Sequence, residues 1–138
     1  MNPELLLKLT ALTYVGIAAA GACMPRAVDL WKHTRSLPPF DRNLFKVYYG
    51  FICFLILSCG LLTWFFAEEL AGGSPLARAV CLMMGGFWLI RLGVALFVFD
   101  VRPYLTNGFY RVGYQATNIV FGSLPFIYGW VALVGGAQ

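Results

Sequence analysis

The stretch from Val47 to Ala67 carries no charged side chain at all, and this constrains the chain more than any other feature. Crossing roughly 30 Å of hydrocarbon takes about 20 mostly apolar residues. Three further stretches meet that requirement: about Leu5 to Met24, about Leu76 to Phe99, and Tyr114 to about Val134. Interruptions are few, with Lys8 near the start of the first run, Arg78 at the mouth of the third and Arg91 deep inside it. A lone segment in lipid must satisfy its own backbone hydrogen bonds, which makes each run a helix. The runs are continuous, whereas a transmembrane β-barrel needs alternation in segments of about ten residues. Composition agrees: 60% of the 138 residues are hydrophobic and 12% are charged, about half the charge of a soluble domain. A soluble enzyme, a disordered tail and a secreted disulfide scaffold are thereby excluded. The expected fold is all-α, an integral membrane four-transmembrane-helix bundle forming one domain over residues 1–138.

Local chemistry marks the helix ends. Asp41 is placed to cap the second helix after the extended Pro38-Pro39 pair, and Ser74-Pro75 reads as an N-cap and first-turn proline for the third. Asn107 is the expected cap of the fourth. Ala20-Gly21-Ala22-Cys23 loosely resembles a lipoprotein cleavage box. Glu4 beside the lone Lys8 is a poor secretory start, so the first run reads as a retained membrane helix. Orientation follows the basic residues. Arg26, Lys32, Arg35, Arg42, Lys46, Arg102 and Arg111 lie in or beside the first and third loops, against Lys8 and Arg78 on the other side. This places both long loops in the cytoplasm and both termini on the outer side. The basic residues are few and tied to helix ends, so nucleic acid is not an expected partner.

Cys23, Cys53, Cys59 and Cys81 show no CxxC spacing and lie in or beside apolar runs, where a thiol acts as a small apolar filler. His33 is the one histidine and sits in a loop, which leaves no ligand set for a metal or a haem. No cofactor is expected.

Arg91 stands out. An unpaired arginine near mid-bilayer costs at least about 2.5–3.5 kcal/mol, so it calls for a partner. Pro125 lacks an amide hydrogen and frees the carbonyl of Phe121, which lies at the depth of Arg91 if the last two helices pack antiparallel. Asn118 and Ser123 are near that level, and Trp88 is spaced to stack on the guanidinium. Arg91 thus either locks the third and fourth helices together or holds the head of an anionic or carbonyl-bearing ligand. A second cluster is expected at the cytoplasmic face. Ala27, Leu30 and Trp31 share one side of a short interfacial helix between Pro25 and Thr34, with Asp29, Lys32 and His33 on the other. Asp41, Asp100, Arg102 and Tyr104 gather nearby, either as an aromatic and cationic collar or as a polar pocket with His33 carrying protons. Gly16 and Ala20 form a small-residue ridge on the first helix, and Gly86 and Gly93 share a face of the third. Both are expected to line seams within the chain.

The segments Leu37-Pro38-Pro39-Phe40, Tyr48-Tyr49 and Asp100-Val101-Arg102-Pro103-Tyr104-Leu105 resemble uncharacterised small bacterial four-helix integral membrane proteins. The resemblance implies a topology in the cytoplasmic membrane and no activity. Small multidrug transporters match in length but use a glutamate inside the first helix. Fluoride channels carry a Gly-rich motif that is absent here, and disulfide-forming membrane oxidoreductases need a CxxC. Three functions remain in view. The first is a non-catalytic subunit or scaffold of a membrane complex, binding a lipid, quinone or pigment among its aromatics. The second is a homo-oligomeric channel or small transporter with Arg91 and Asn118 near the path. The third is a lipid-active enzyme using His33. The expected partners are the bilayer and other membrane subunits or further copies of the chain.

Overall fold

The computed structural model describes residues 2–27, 29–98 and 108–135. The described residues form α-helices and turns, with no strand among them: α1 (Pro3–Ala27), α2 (Leu30–His33), a 3-10 turn (Thr34–Ser36), α3 (Pro39–Phe65), α4 (Ala67–Ala71), α5 (Pro75–Phe97) and α6 (Gly108–Val134). α1, α3, α5 and α6 are long and apolar enough to cross a membrane. Four such helices fit a multi-pass membrane protein.

The helix ends follow elementary capping rules. Ser74 accepts a hydrogen bond from the Ala77 amide at 3.1 Å, with Pro75 in the first turn of α5 where its missing N–H is harmless. α3 begins well before Val47 because Pro39 presets the first helical turn. Asp41 lies inside that turn beside the positive end of the helix dipole, and Pro38 occupies the cap position without a side-chain bond. The chain then leaves α1 through Asp29, whose φ of 48° is left-handed, into the four-residue α2. The expected cap Asn107 lies outside the described residues, as do Asp100, Arg102 and Tyr104.

The helices meet along seams with a 3.5-residue period. In α1 the stripe is Leu7, Ala11, Tyr14, Ala18, Gly21 and Pro25, flanked by the buried Thr10 and Ile17, and in α3 it is Tyr49, Cys53, Ile56, Gly60 and Thr63. In α5 it is Ala77, Cys81, Met84, Trp88, Arg91 and Ala95; in α6, Tyr114, Thr117, Phe121, Leu124, Tyr128 and Val131. Alternating steps of four and three keep one narrow stripe facing a near-parallel or antiparallel neighbour. α1 and α3 pack as one antiparallel hairpin and α5 and α6 as another. Tyr14 lies beside Gly60 in the first, and Gly85 beside Pro125 and Tyr128 in the second. α1 also packs on α6, and α4 ties the hairpins together at one end. Burial is concentrated towards that α4 end. In α6 no described side chain before Phe121 is buried, and α3 buries only Gly60 and Thr63.

The small residues sort differently from expectation. Gly16, Ala19, Ala20 and Cys23 are exposed, and a Cβ added at Gly16 or Gly86 would meet nothing within 4 Å. The close approach is at Gly60, where an added Cβ would fall 2.7 Å from Cβ of Tyr14. At Gly60 the buried tyrosine ring requires glycine, whereas at Gly135 an added Cβ would fall 3.1 Å from the Ala71 carbonyl oxygen and from the Gly73 Cα, a close approach of backbones.

Candidate functional site

At the centre of the bundle four side chains, one from each long helix, join in a hydrogen-bonded chain. Trp88 Nε1 of α5 donates to the Tyr14 hydroxyl of α1 at 2.8 Å. The Tyr14 and Tyr128 hydroxyls are 2.9 Å apart, and the Tyr128 and Thr63 hydroxyls 2.7 Å. Thr63 Oγ1 in turn donates to the Cys59 carbonyl at 2.8 Å. The ends fix the direction of every bond: an indole N–H only donates and a carbonyl only accepts. Tyr14 therefore donates to Tyr128, and Tyr128 donates to Thr63. The chain is closed at both ends, and no buried side-chain nitrogen or oxygen among the described residues lacks a partner. Trp88, Tyr14, Tyr128, Leu124 and Thr63 are each 1% exposed or less, so this layer also plugs the middle of the bundle.

Aromatic contacts extend the layer towards Arg91. Trp88 meets Tyr14 edge-on at 5.5 Å between centroids and Phe87 at 5.2 Å, and it lies tilted against Phe121 at 5.2 Å. The Arg91 guanidinium sits over the far side of this group, 5.2 Å from the Phe121 ring centroid. Phe121 is thus the residue Arg91 meets, through its ring in place of its carbonyl. The side chains of helical residues lean towards the N-terminus, which carries the guanidinium down the α5–α6 seam onto the ring face. Trp88 is engaged by Tyr14 and the two phenylalanines, and the cation over a ring among the described residues is Arg91 over Phe121. Arg91 is half-buried. Asn118, one turn before Phe121 on α6, is half-buried as well, while Ser123 is exposed and donates to the Val120 carbonyl at 2.9 Å.

The other sequence-derived candidates are more scattered. His33 is exposed on α2 and Asp41 is exposed in the first turn of α3. Asp100, Arg102 and Tyr104 lie outside the described residues. What the structure does bring together at the α2 end is aromatic. Trp31 meets the Tyr49 ring edge-on at 6.4 Å, Phe45 stacks on it at 6.4 Å, and the Tyr49 hydroxyl donates to the Gly21 carbonyl of α1. Among the described residues no three His, Cys, Asp or Glu side chains are grouped so as to hold a metal ion. All four cysteines are free, with Cys81 fully buried on the α5 seam.

Sequence reasoning did not single out Tyr14, Thr63 or Tyr128. The signal was present in their spacing: each falls on a four-three stripe of its helix. Comparisons with protein-family models, curated proteins and solved structures return no match. The functional reading therefore stands on the geometry.

Proposed function

We propose that this protein is a non-catalytic integral membrane subunit or scaffold, built to associate with other membrane proteins. The observation that carries this reading is α3. It is as long as any helix in the molecule, yet only Gly60 and Thr63 are buried, and Phe51, Ile52 and Phe54 face outward. Gly50 leaves a shallow notch between Val47, Phe51 and Phe54 on that outer face. A glycine flanked by large apolar side chains suits close approach of another transmembrane helix, because helix association in lipid relies on packing more than on hydrophobic burial. The aromatic plug at Trp88, Tyr14 and Tyr128 speaks against a solute path through one copy of the chain. The buried hydroxyls are consumed in joining helices, which leaves them poorly placed for chemistry on a substrate. In this reading the basic first and third loops face the cytoplasm, both termini lie outside, and the membrane is the bacterial cytoplasmic membrane.

Photo-crosslinking in native membranes tests the proposal. A photoreactive side chain at Phe51 should give a discrete protein adduct, identifiable by mass spectrometry as another subunit or a second copy. The same side chain at Leu82, exposed on α5, should give lipid adducts. Lipid adducts alone from both positions would refute the assignment.

A further inference from the structure

The polar side chains buried within the spans are all bonded, down to Thr10, which donates to the Leu6 carbonyl at 2.8 Å. Half-buried polar groups depart from this pattern, Ser58, Tyr114, Arg91 and Asn118 among them, and Arg91 is the one that carries a charge deep within a span. The Arg91 guanidinium has the Phe121 ring against one face but no hydrogen bond or ion pair among the described residues. The Asn118 side chain likewise has no hydrogen bond among them. They belong to facing helices of one seam: Arg91 takes a seam position of α5, and Asn118 precedes Phe121 by one turn on α6. A guanidinium carries five N–H donors in a planar fork and an amide carries two more. Cation–π contact with a single ring offsets only part of the cost of holding an arginine inside the bilayer. The arrangement is rich in donors, positively charged and open to lipid on its exposed side.

We propose that Arg91 and Asn118 form a binding site for an oxyanion carried on an acyl chain, reached laterally from the bilayer. The charge bonds in bidentate fashion to the Arg91 fork, the Asn118 amide donates to the same oxyanion, and the chain lies along the apolar flank of the α5–α6 hairpin. Depth selects the ligand. Arg91 precedes the end of α5 at Phe97 by about 9 Å along the axis, and its side chain leans deeper still. A single-chain carboxylate can sink to that level more readily than the phosphate of a diacyl lipid. The site is independent of the association surface on α3, and either assignment can fail without the other.

Trp88 supplies the readout, because its ring touches the Phe121 ring that lies under the guanidinium. With Trp31, Trp64 and Trp130 replaced by Phe, the protein is placed in phosphatidylcholine nanodiscs and titrated with a dibrominated stearate. Saturable quenching of Trp88, reversed by oleate, is expected. Arg91→Leu should raise the half-saturation point about tenfold or more, as loss of a charge-assisted bond implies. Asn118→Leu should raise it severalfold, and Arg91→Lys should fall between wild type and Arg91→Leu, since lysine keeps the charge but loses the fork. Thermal melts establish that each variant is folded; if Arg91→Leu is not, Arg91→Lys and Asn118→Leu decide the question. Equal quenching in wild type and folded variants would overturn the site. Displacement by phosphatidylglycerol but not oleate would overturn the depth argument, and displacement by inorganic phosphate alone would overturn the lipid origin of the ligand.

Discussion

Replacing Tyr128 with phenylalanine removes one oxygen atom and with it two hydrogen bonds, the one accepted from Tyr14 and the one donated to Thr63. The ring remains, so no large cavity opens and the change isolates the polar contribution. Hydrogen bonds between helices in a membrane contribute about 0.6 kcal/mol on average and about 1.7 kcal/mol at most, so two lost bonds predict a destabilisation of about 1.2–3.4 kcal/mol. Tyr14→Phe breaks two bonds as well and leaves the Trp88 N–H without an acceptor. The decisive quantity is the coupling between the two substitutions. They share one bond, so the double variant should be less destabilised than the sum of the singles by about 0.6–1.7 kcal/mol.

Reversible unfolding in mixed micelles with rising dodecyl sulfate, followed by far-ultraviolet circular dichroism, measures all four corners of this cycle. Tyr48→Phe serves as the control, because Tyr48 is 60% exposed on α3, and it should leave stability unchanged within about 0.5 kcal/mol. The same cycle between Tyr128→Phe and Thr63→Val should couple similarly, and Thr63→Ser should restore the coupling by returning the hydroxyl. Additive effects within about 0.3 kcal/mol in both cycles would refute the joined chain and reduce these residues to apolar packing.

Gly60→Ala should destabilise by about 1–3 kcal/mol, because its Cβ would fall 2.7 Å from that of Tyr14. Gly16→Ala, with open space around it, should be neutral or stabilising by up to about 1 kcal/mol; equal effects in the same unfolding assay would contradict the packing. Ser74→Ala removes the acceptor of the Ala77 amide and should cost about 1 kcal/mol, a figure that an unchanged unfolding midpoint would rule out. In a chain whose native cysteines are replaced by alanine, Ser36→Cys should react with an impermeant maleimide only from the cytoplasmic side and Gly72→Cys only from the outside. Labelling of both from one side would contradict the transmembrane path, and a reversed pattern would overturn the orientation.

The spans were legible because an apolar run of about 20 residues has few alternatives, and Arg91 was legible because charge is rare inside one. The seams were hidden for a physical reason. In water, burial separates apolar from polar residues, so periodic hydropathy reveals the inner face of a helix. In lipid both faces are apolar, and the inner face is chosen by fit and hydrogen bonding. α3 illustrates the inversion: Phe51 and Phe54 face outward, while the buried positions are Gly60 and Thr63. A hydropathy scale would rank those four residues in the opposite order. The same physics explains why Arg91 could be found from sequence while its contact with the Phe121 ring could not. Its depth follows from counting along α5, but whether the guanidinium meets a freed carbonyl or a ring depends on the rotation of α6 about its own axis. That rotation is set at the hydrogen-bonded layer, where Tyr128 is drawn inward by bonds to Tyr14 and Thr63. Phe121 lies two turns away on the same 3.5-residue stripe and is turned inward with it. Releasing Tyr128 should therefore be felt at Arg91: in Tyr128→Phe the saturable quenching of Trp88 should weaken, although neither Arg91 nor Asn118 has changed.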